Sequence, residues 1–472
     1  MNDASQKVGG RGYLCLIAGT AALGGLLLGY DTAVISGAIG FIEAHFTLSA
    51  GMTGWAVSSL LIGCMFGAIL GGPLSDRFGR KPMLLLCSVI FALSALGSAI
   101  ASNLALYSWS RLLGGLAIGA VSLLSPLYLA EMAPHRVRGR LVSLYQLAIV
   151  VGILVSFFVN MLIQRRGASL PGVQGETWNQ AHGWRWMLGI MVVPSTLFGL
   201  LLLPLPESPR WQMKRGRRLG AERTLSRIGG PQAAAKEIVE IEASLKEDEG
   251  KLSELFSGGF GRALLIGVGL AIFSQFGGIN AVMYYGPELF KAAGSNPDQA
   301  FLSQVVLGAT LIVATLAASA LVDKLGRRKL LIGGVSLQIL CLAAVGVLYR
   351  LHASPLLLLV FVVLFLIGFG GSTGVVTWVI ISEIFPTRLR GRAMGMAVLM
   401  HWVADYLVSQ TFPLLKQNIG PSNTFFCYAL GCFLGLVFTI CLVPETKGRT
   451  LEEIEKSWRQ ARPALACQSL AS

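Results

Sequence analysis

The chain has 472 residues, of which 54% are hydrophobic and 13% are charged. A soluble protein of this length could not bury so many apolar side chains, so the composition indicates a polytopic membrane protein. The formal net charge is +14, but the basic residues cluster in short loops between apolar segments, which argues against a nucleic-acid partner. The eight cysteines form no CxxC pair and lie mostly in apolar runs, so we expect neither a metal site nor a cofactor.

Twelve apolar segments follow one another along the chain, and each is long enough to cross a bilayer. They span residues 13–42, 52–73, 82–102, 106–130, 141–163, 184–204, 261–290, 299–322, 329–350, 355–384, 393–415 and 423–443. We therefore predict an all-α membrane protein with twelve transmembrane helices.

The loops between these segments differ in charge in a regular way. Loops that follow even-numbered segments are rich in basic residues, among them Arg77, Arg80, Lys81, Arg136, Arg138, Arg140, Lys324, Arg327, Arg328, Lys329, Arg388, Arg390 and Arg392. Because basic loops stay on the cytoplasmic side, both termini are predicted to lie in the cytoplasm. The sequence holds no N-x-S/T acceptor, which favours a bacterial inner membrane as the location of this multi-pass protein.

A polar stretch, residues 205–260, divides the apolar segments into two groups of six. Its mixed charge pattern predicts short amphipathic helices on the cytoplasmic face. The predicted domains are an N-terminal six-helix bundle (1–204), this linker (205–260), a C-terminal six-helix bundle (261–446) and a cytoplasmic tail (447–472).

The two halves repeat three motifs in the same order. Gly72–Lys81 is echoed by Ala320–Lys329, Glu131 with Arg138-Gly139-Arg140 by Glu383 with Arg390-Gly391-Arg392, and Pro206-Glu207-Ser208 by Pro444-Glu445-Thr446. Parallel repeats of six helices predict a central cavity between two bundles that rock around it.

Asp31 is the only charged side chain of the first segment before Glu43. A carboxylate near the middle of a membrane helix costs on the order of 3 kcal/mol, so it should face a cavity or a partner. Arg111 in the fourth segment is the only other firmly charged side chain placed as deep in the N-terminal half. We predict a buried pair whose protonation can be switched, as in a proton-coupled carrier. A static ion pair that only fixes the helix register is the alternative.

Several motifs together resemble the sugar porter family of the major facilitator superfamily. They are Gly79-Arg80-Lys81, Arg111 with Gly114-Gly115, Pro206-Glu207-Ser208-Pro209-Arg210, Gln275 with Gly278-Ile279-Asn280, and Pro444-Glu445-Thr446-Lys447-Gly448. The resemblance covers essentially the whole chain and implies the major facilitator fold with transport by alternating access. Members that work as uniporters tend to carry Asn in place of the acid at Asp31, so the resemblance favours proton symport.

Polar and aromatic side chains on the apolar segments supply what a sugar needs, which is amides for its hydroxyls and rings for its C–H surface. The resemblance places Gln146, Gln275, Asn280, Trp378 and Trp402 at the family's sugar contacts, and Tyr284 and Tyr285 at its extracellular gate. For each residue alone, bonding between helices or core packing explains it equally well. Ile153, on the same face as Gln146, leaves room for an exocyclic group and leans towards a hexose.

The chain departs from the family pattern in the same region. Ser274 precedes Gln275 where the family often has two glutamines, Leu311 stands where Asn is usual, and His401 replaces an amide. We count Ser274 and His401 with the candidate substrate-binding residues. Asp405 follows His401 by one helical turn, so the two can bond to one another. We interpret them as a mutually neutralising pair, and the alternative is a second titratable group beside the substrate.

Charged residues at the predicted cytoplasmic ends of the helices resemble the family's charge network. They are Asp76, Arg80, Glu131, Arg138, Glu207, Asp323, Arg327, Glu383, Arg390 and Glu445. Ion pairs here would close the inner face in the outward-open state and break when that face opens. A solvated basic loop is the alternative for any single arginine.

These observations lead us to expect a monomeric secondary transporter, not an enzyme, that carries a monosaccharide together with a proton across the lipid bilayer. No Walker-type ATP-binding loop is present, so the energy would come from the gradient. The alternatives are an uncoupled sugar uniporter and a proton-coupled polyol or inositol carrier. A non-transporting nutrient sensor is a further alternative, which the short tail after Pro444 disfavours.

Overall fold

The computed structural model describes residues 7–134, 137–173, 175–245, 252–256, 260–385 and 387–448. The predicted tail therefore lies outside the described residues beyond Gly448, as do Arg136 and the side chain of Arg388. The first half of the chain contains helices α1 Lys7–Phe46, α2 Ala50–Phe78, α3 Arg80–Ala99, α4 Leu104–Met132, α5 Arg138–Ala168, α6 Trp184–Gly189 and α7 Val192–Leu202, with a π-helical turn Asn179–Gly183 before α6.

Three short helices follow, which are α8 Pro209–Lys214, α9 Arg218–Gly229 and α10 Pro231–Leu245, and then a 3₁₀ turn Leu252–Phe256. Leu225, Ala234 and Ile238 form a small core among them, with Met213 and Ile241 packed against it. Helix α9 packs on α1 and α8 packs on α4. The connecting helices therefore lie against the first half of the chain.

The second half contains α11 Phe260–Phe276, α12 Ile279–Ala292, α13 Pro297–Leu325, α14 Arg327–Arg350, α15 Pro355–Gly368, α16 Gly374–Ile384 and α17 Thr387–Leu442, with a π-helical turn Phe369–Thr373 between α15 and α16. The consecutive helices α11 and α12 form one crossing segment, as do α15 and α16. Gly278, which joins α11 to α12, has a φ of 72°, a left-handed conformation that glycine adopts without steric cost.

By length and composition, the described residues contain 11 helical stretches that could cross a membrane. The last of them, Leu389–Leu442, has 54 residues, far more than the roughly 20 that a bilayer needs. Its backbone leaves the helical region at Gly420 (φ 80°, ψ 161°), directly before Pro421. The stretch is therefore two crossings joined by a sharp turn, and the prediction of twelve transmembrane segments is confirmed.

The repeated motifs form the same tight turn in both halves. Only Gly79 separates α2 from α3, and only Gly326 separates α13 from α14. Their backbone angles are nearly equal, with φ 105° and ψ 160° at Gly79 and φ 90° and ψ 156° at Gly326. A side chain would be strained at either φ, so glycine is the residue that allows this connection.

Small residues allow α2 and α4 to approach closely. A Cβ atom added to Gly63 would lie 2.1 Å from the carbonyl oxygen of Leu112, and one added to Gly115 would lie 1.9 Å from that of Leu60. Both distances are far shorter than a van der Waals contact, so the two backbones pack directly against each other. Helix packing in membranes depends on such contacts because lipid is as apolar as the helices are.

The two halves meet mainly through α1 with α12, α2 with α17, and α5 with α13. We call the end of the bundle that carries the turns at Gly79 and Gly326 the basic face, and the other end the opposite face. At the opposite face, the Gln410 amide bonds across the halves to Ser58 and Gly51. Nearby, the ring of Phe41 stacks on that of Phe301 at a centroid distance of 6.3 Å. The halves are therefore joined at the opposite face.

Candidate functional site

Asp31 and Arg111 form an ion pair between α1 and α4, and only 2% of each residue is exposed. The Arg111 guanidinium donates to the Asp31 carboxylate, and it donates a second bond to the Asp31 backbone carbonyl at 3.0 Å. Asp31 Oδ2 and Arg111 Nε are buried without a hydrogen-bond partner among the described residues. The pair is thus in place but incompletely satisfied, with a free carboxylate oxygen that a proton could occupy.

The neighbouring sequence makes room for this pair. A Cβ atom added to Gly114 would lie 3.2 Å from Asp31 Oδ2 and 2.4 Å from the hydroxyl oxygen of Ser94. The Gly114-Gly115 step thus serves two contacts, since Gly114 faces the ion pair and Gly115 faces α2. A residue with a side chain at 114 would displace the carboxylate.

Amide and imidazole groups from the second half form a hydrogen-bonded cluster. Gln275 Nε2 lies 3.1 Å from His401 Nδ1, and Asn280 donates to Gln275 Oε1 at 2.7 Å. The Ser274 hydroxyl lies 3.5 Å from His401 Nδ1. These residues come from α11, α12 and α17, so three helices contribute side chains to one polar cluster.

Two indoles flank the imidazole of this cluster. The ring of His401 lies 5.3 Å from that of Trp378 and 5.4 Å from that of Trp402, both in edge-to-face geometry. Trp378 and His401 are partly exposed, whereas Trp402 is buried and its Nε1–H has no partner among the described residues. An unpaired buried donor beside amides and rings is what a sugar hydroxyl could satisfy.

Gln146 lies apart from this cluster, on α5 in the first half, and is partly exposed. Its helix packs tightly on α1, since a Cβ atom at Gly29 would lie 1.9 Å from the carbonyl oxygen of Ile149. The candidate sugar contacts therefore come from both halves, with one amide in the first and the remaining polar and aromatic groups in the second.

Both candidate gate tyrosines bond to α17. The Tyr284 hydroxyl donates to Asp405 Oδ2 at 3.1 Å, and the Tyr285 hydroxyl donates to the backbone carbonyl of Ser409 at 2.9 Å. Both tyrosines are buried. These bonds hold α12 against the turn of α17 that runs from Asp405 to Ser409.

The prediction that His401 and Asp405 bond to each other is wrong for this structure. His401 bonds to Gln275, and Asp405 bonds to Tyr284 and Ser409. The physical reason is competition, because the two indoles and the Gln275 amide hold the imidazole away from its neighbour one turn along. Spacing along a helix makes such a contact possible but does not decide it.

Charged residues at the basic face of the first half form a closed cluster. Arg80 bonds to Glu131 at 3.0 Å and to Asp76 at 2.8 Å. Glu207 Oε1 accepts from the backbone N–H of Arg80 at 3.0 Å. Burial raises the pKa of the Glu207 carboxyl, although hydrogen bonds from the backbone N–H groups of Ser208, Arg80 and Lys81 oppose the increase.

The second half repeats this cluster. Arg327 bonds to Glu383 at 3.0 Å and to Asp323 at 2.9 Å, and Glu445 Oε1 accepts from the backbone N–H of Arg327 at 3.0 Å. Burial would raise the pKa of the Glu445 carboxyl, but four backbone N–H donors outweigh it and lower that pKa. Each cluster lies within its own half.

Arg138 and Arg390 occupy equivalent positions but do not join these clusters. Arg138 lies 4.0 Å from Glu237 of the connecting helix α10. Arg390 has two buried guanidinium nitrogens, Nε and Nη2, without a hydrogen-bond partner among the described residues. Glu131 and Glu383 are already bonded to Arg80 and Arg327, so the arginines of the Arg-Gly-Arg motifs lack these acids here.

Sequence reasoning missed the bonds that Asp405, Ser409 and Gln410 make. The Ser58 hydroxyl donates to Gln410 Oε1 at 2.7 Å, and Gln410 Nε2 donates to the Gly51 carbonyl at 3.0 Å. The available signal was a glutamine within a long apolar helix, because such a side chain usually bonds to another helix.

Comparison with known proteins identifies the relatives of this chain. The profile of the family described as "Sugar (and other) transporter" matches residues 17–458. The arabinose-proton symporter of Bacillus subtilis is 42% identical over 449 residues, which are 95% of each chain. The D-xylose-proton symporter of Escherichia coli K12 is 38% identical over 478 residues, covering 94% of this chain and 96% of the other.

A solved structure has the same fold. The partially occluded inward-open conformation of the xylose transporter XylE from E. coli matches with a TM-score of 0.83 at 36% identity, covering 93% of this chain and all of the other. The resemblance to the sugar porter family is thereby confirmed, together with a multi-pass membrane architecture. The chain belongs to the sugar transporter family of the major facilitator superfamily.

Proposed function

We propose that this protein is a proton–sugar symporter that works by alternating access. The observation that carries the proposal is the buried Asp31–Arg111 pair between α1 and α4, in which one carboxylate oxygen has no partner. Relatives with the names arabinose-proton symporter and D-xylose-proton symporter align over nearly the whole chain. The match to a transporter family supports the expectation that this protein transports its substrate and is not an enzyme.

Protonation of Asp31 would change what holds α1 to α4. While the carboxylate is ionised, it attracts Arg111 in a medium where charges interact strongly. Once it is protonated, the ionic attraction disappears and a neutral hydrogen bond remains, so the two helices can shift. Because one conformation then binds the proton better than the other, the proton gradient biases the direction of the conformational change.

The sugar would bind between the halves. Gln275, Asn280 and His401 supply hydrogen bonds from the second half, the ring of Trp378 supplies an apolar surface, and Gln146 supplies an amide from the first half. Trp402 Nε1 adds a further donor, and the Ser274 hydroxyl oxygen adds an acceptor because its hydrogen is donated to the Ala271 carbonyl. A ligand held by both halves draws them together, and this is the occlusion step of alternating access.

The basic face would be cytoplasmic, because basic loops remain on that side of the membrane. Both termini then lie in the cytoplasm of a bacterial cell, and the membrane is the inner one. The bonds of Gln410 to the first half, at the opposite face, correspond to closure of the outer side. The structure would accordingly represent an inward-facing state, in which Tyr284 and Tyr285 form the closed outer gate.

The charge clusters would act when the protein turns outward. Each cluster already holds together the helix ends of its own half. We assign the closing role to Arg390, whose buried guanidinium nitrogens lack partners here, and to Arg138, which lies 4.0 Å from Glu237. In the outward-facing state these arginines would meet acids across the halves, which compensates for their burial.

The substrate class is a monosaccharide, and the transporter would act as a monomer. The relatives' names point to pentoses, whereas the presence of isoleucine at position 153 leads us to expect a hexose. Transport therefore has to be measured with both. An uncoupled uniporter and a polyol carrier are distinguished by the same measurement.

The test is uptake of labelled xylose, arabinose, glucose, galactose and inositol into proteoliposomes, with and without an inward proton gradient. We expect accumulation of one monosaccharide that depends on the gradient. Asp31→Asn should abolish accumulation but retain exchange of labelled for unlabelled sugar. Asp298→Asn, which changes an exposed aspartate at the opposite face, serves as the matched control and should transport like the wild type.

Two results would reject the proposal. Uptake that only equilibrates and ignores both the gradient and Asp31→Asn would identify a uniporter with a structural ion pair. Accumulation of inositol but of no monosaccharide would identify a polyol carrier.

A further inference from the structure

Asp405 is a second buried carboxylate, on the eleventh crossing segment, with 1% of its surface exposed. Its Oδ2 accepts from the Tyr284 hydroxyl at 3.1 Å, and its Oδ1 accepts from the Ser409 hydroxyl at 3.0 Å. The Asn280 amide lies near this carboxylate, and it donates to Gln275 Oε1. The described residues provide Asp31 with an arginine as its ion-pair partner, but they provide Asp405 with none.

Burial without a cation makes the charge on Asp405 depend on water. An ionised carboxylate is strongly disfavoured in an apolar interior unless hydrogen bonds or an opposite charge compensate it. The hydroxyls of Tyr284 and Ser409 compensate the charge only in part. Opening of the gate formed by Tyr284 and Tyr285 would hydrate Asp405 and favour its ionised form, whereas closure of this gate, as in this structure, favours uptake of a proton.

The groups that face Asp405 contribute no compensating cation. Tyr284 and Tyr285 face it from α12 and Cys64 faces it from α2, while His401 on its own helix is turned to Gln275. Cys64 and Tyr284 also lie near Arg111. Both carboxylates therefore lie near Cys64, with Asp31 in the first half of the chain and Asp405 in the second.

Asn280 lies between Asp405 and the candidate sugar contacts. Its amide is near the Asp405 carboxylate and donates to Gln275 Oε1 at 2.7 Å, and Gln275 Nε2 lies 3.1 Å from His401 Nδ1. Once Asp405 is protonated, its negative charge no longer attracts the Asn280 N–H groups, which leaves one of them available to a sugar hydroxyl. Sugar and proton would therefore each strengthen binding of the other, as linkage requires.

We propose that Asp405 is a second proton-binding residue of this transporter, which takes up a proton when the gate of Tyr284 and Tyr285 closes over the bound sugar. The inference rests on the proposed function. In this cycle the proton adds to a carboxylate oxygen to form an O–H group as the gate closes over Asp405, and it leaves to water when Asp405 is hydrated again. Two carboxylates, one in each half, then exchange protons during one cycle.

The test measures sugar-linked proton uptake by the purified full-length protein, in weakly buffered solution with a pH indicator, as pH is varied. We expect Asp405→Asn to bind sugar while taking up fewer protons per sugar than the wild type. Asp31→Asn should remove a separate part of this proton uptake, and the double variant should take up almost no protons. Asp298→Asn, which changes an exposed aspartate, should match the wild type.

Equal uptake by Asp405→Asn and the wild type at every pH would overturn the inference and leave the symport proposal intact. A wild-type protein that binds sugar without proton uptake would instead reject the symport proposal, and this inference with it. Tyr284→Phe keeps the Asp405 carboxylate and therefore provides a second test in case Asp405→Asn does not fold. Loss of this donor to the ionised form should move the pH midpoint of uptake upward by about one unit, and an unchanged midpoint would also count against the inference.

Discussion

Replacing Gln410 with alanine should weaken the contact between the two halves at the opposite face. The wild-type side chain accepts from Ser58 at 2.7 Å and donates to the Gly51 carbonyl at 3.0 Å. A hydrogen bond in a protein contributes about 0.5–1.5 kcal/mol, so loss of both destabilises this closed interface by about 1–3 kcal/mol. The ratio of the two conformations should change by about 5- to 150-fold.

The assay is the distance between spin labels at positions 47 and 417 in a cysteine-depleted background. Thr47 and Gln417 are exposed residues near the opposite face, one in each half. Gln410→Ala should raise the population with a long distance, and Ser58→Ala, which removes one bond, should raise it less. Thr411→Ala is the control, because the Thr411 hydroxyl bonds to Leu407 within its own helix.

Identical distance distributions in Gln410→Ala and Thr411→Ala would contradict this prediction. A larger change of the distribution in Ser58→Ala than in Gln410→Ala would contradict it as well. Either result would mean that packing, rather than these two bonds, holds the opposite face closed.

Three further predictions concern the stability of the purified protein, measured as Tm. Arg111→Met should destabilise it by about 3–5 kcal/mol because the buried Asp31 carboxylate loses its ion-pair partner. Adding Asp31→Asn should restore much of this stability, and equal Tm values for the single and double variants would contradict the prediction. Gly115→Val should lower Tm strongly because even its Cβ atom would meet the Leu60 carbonyl at 1.9 Å, whereas Gly72→Val, with no atom within 4 Å of the added Cβ, should not. Backbone N–H groups outweigh burial and lower the pKa of Glu445 below its ordinary value of 4.5, so its stabilising effect is present above that pH and is lost as pH falls through the folded-state pKa. Glu445→Gln should therefore lower Tm at pH 7, and the deficit should vanish in acid; a deficit independent of pH would exclude this explanation.

Apolar segment length predicted the crossing helices well, because the bilayer sets a minimum length that each segment meets. The Asp31–Arg111 pair could also be predicted, since two deep opposite charges in one half have few other partners. The repeated motifs predicted equivalent turns, and their nearly equal angles at Gly79 and Gly326 show why glycine stands there.

Contacts between distant helices could not be predicted in the same way. Periodicity shows which residues share a face, but it does not show which helix packs on that face. His401 and Asp405 share a face, yet one bonds to α11 and the other to α12. Gln410 bonds to α2 for the same reason, because its partner is set by how the two halves dock.

The duplicated charge clusters also bear on how the protein is made. Glu207 follows the last crossing helix of the first half and bonds back to the turn at Arg80, and Glu445 does the same for the turn at Arg327 at the end of the second half. During synthesis, Glu207 and Glu445 therefore each emerge from the ribosome just after the sixth helix of the bundle that they stabilise. We expect the first bundle to complete its packing in the membrane before the second has been synthesised, and the two bundles to reassemble when produced as separate chains.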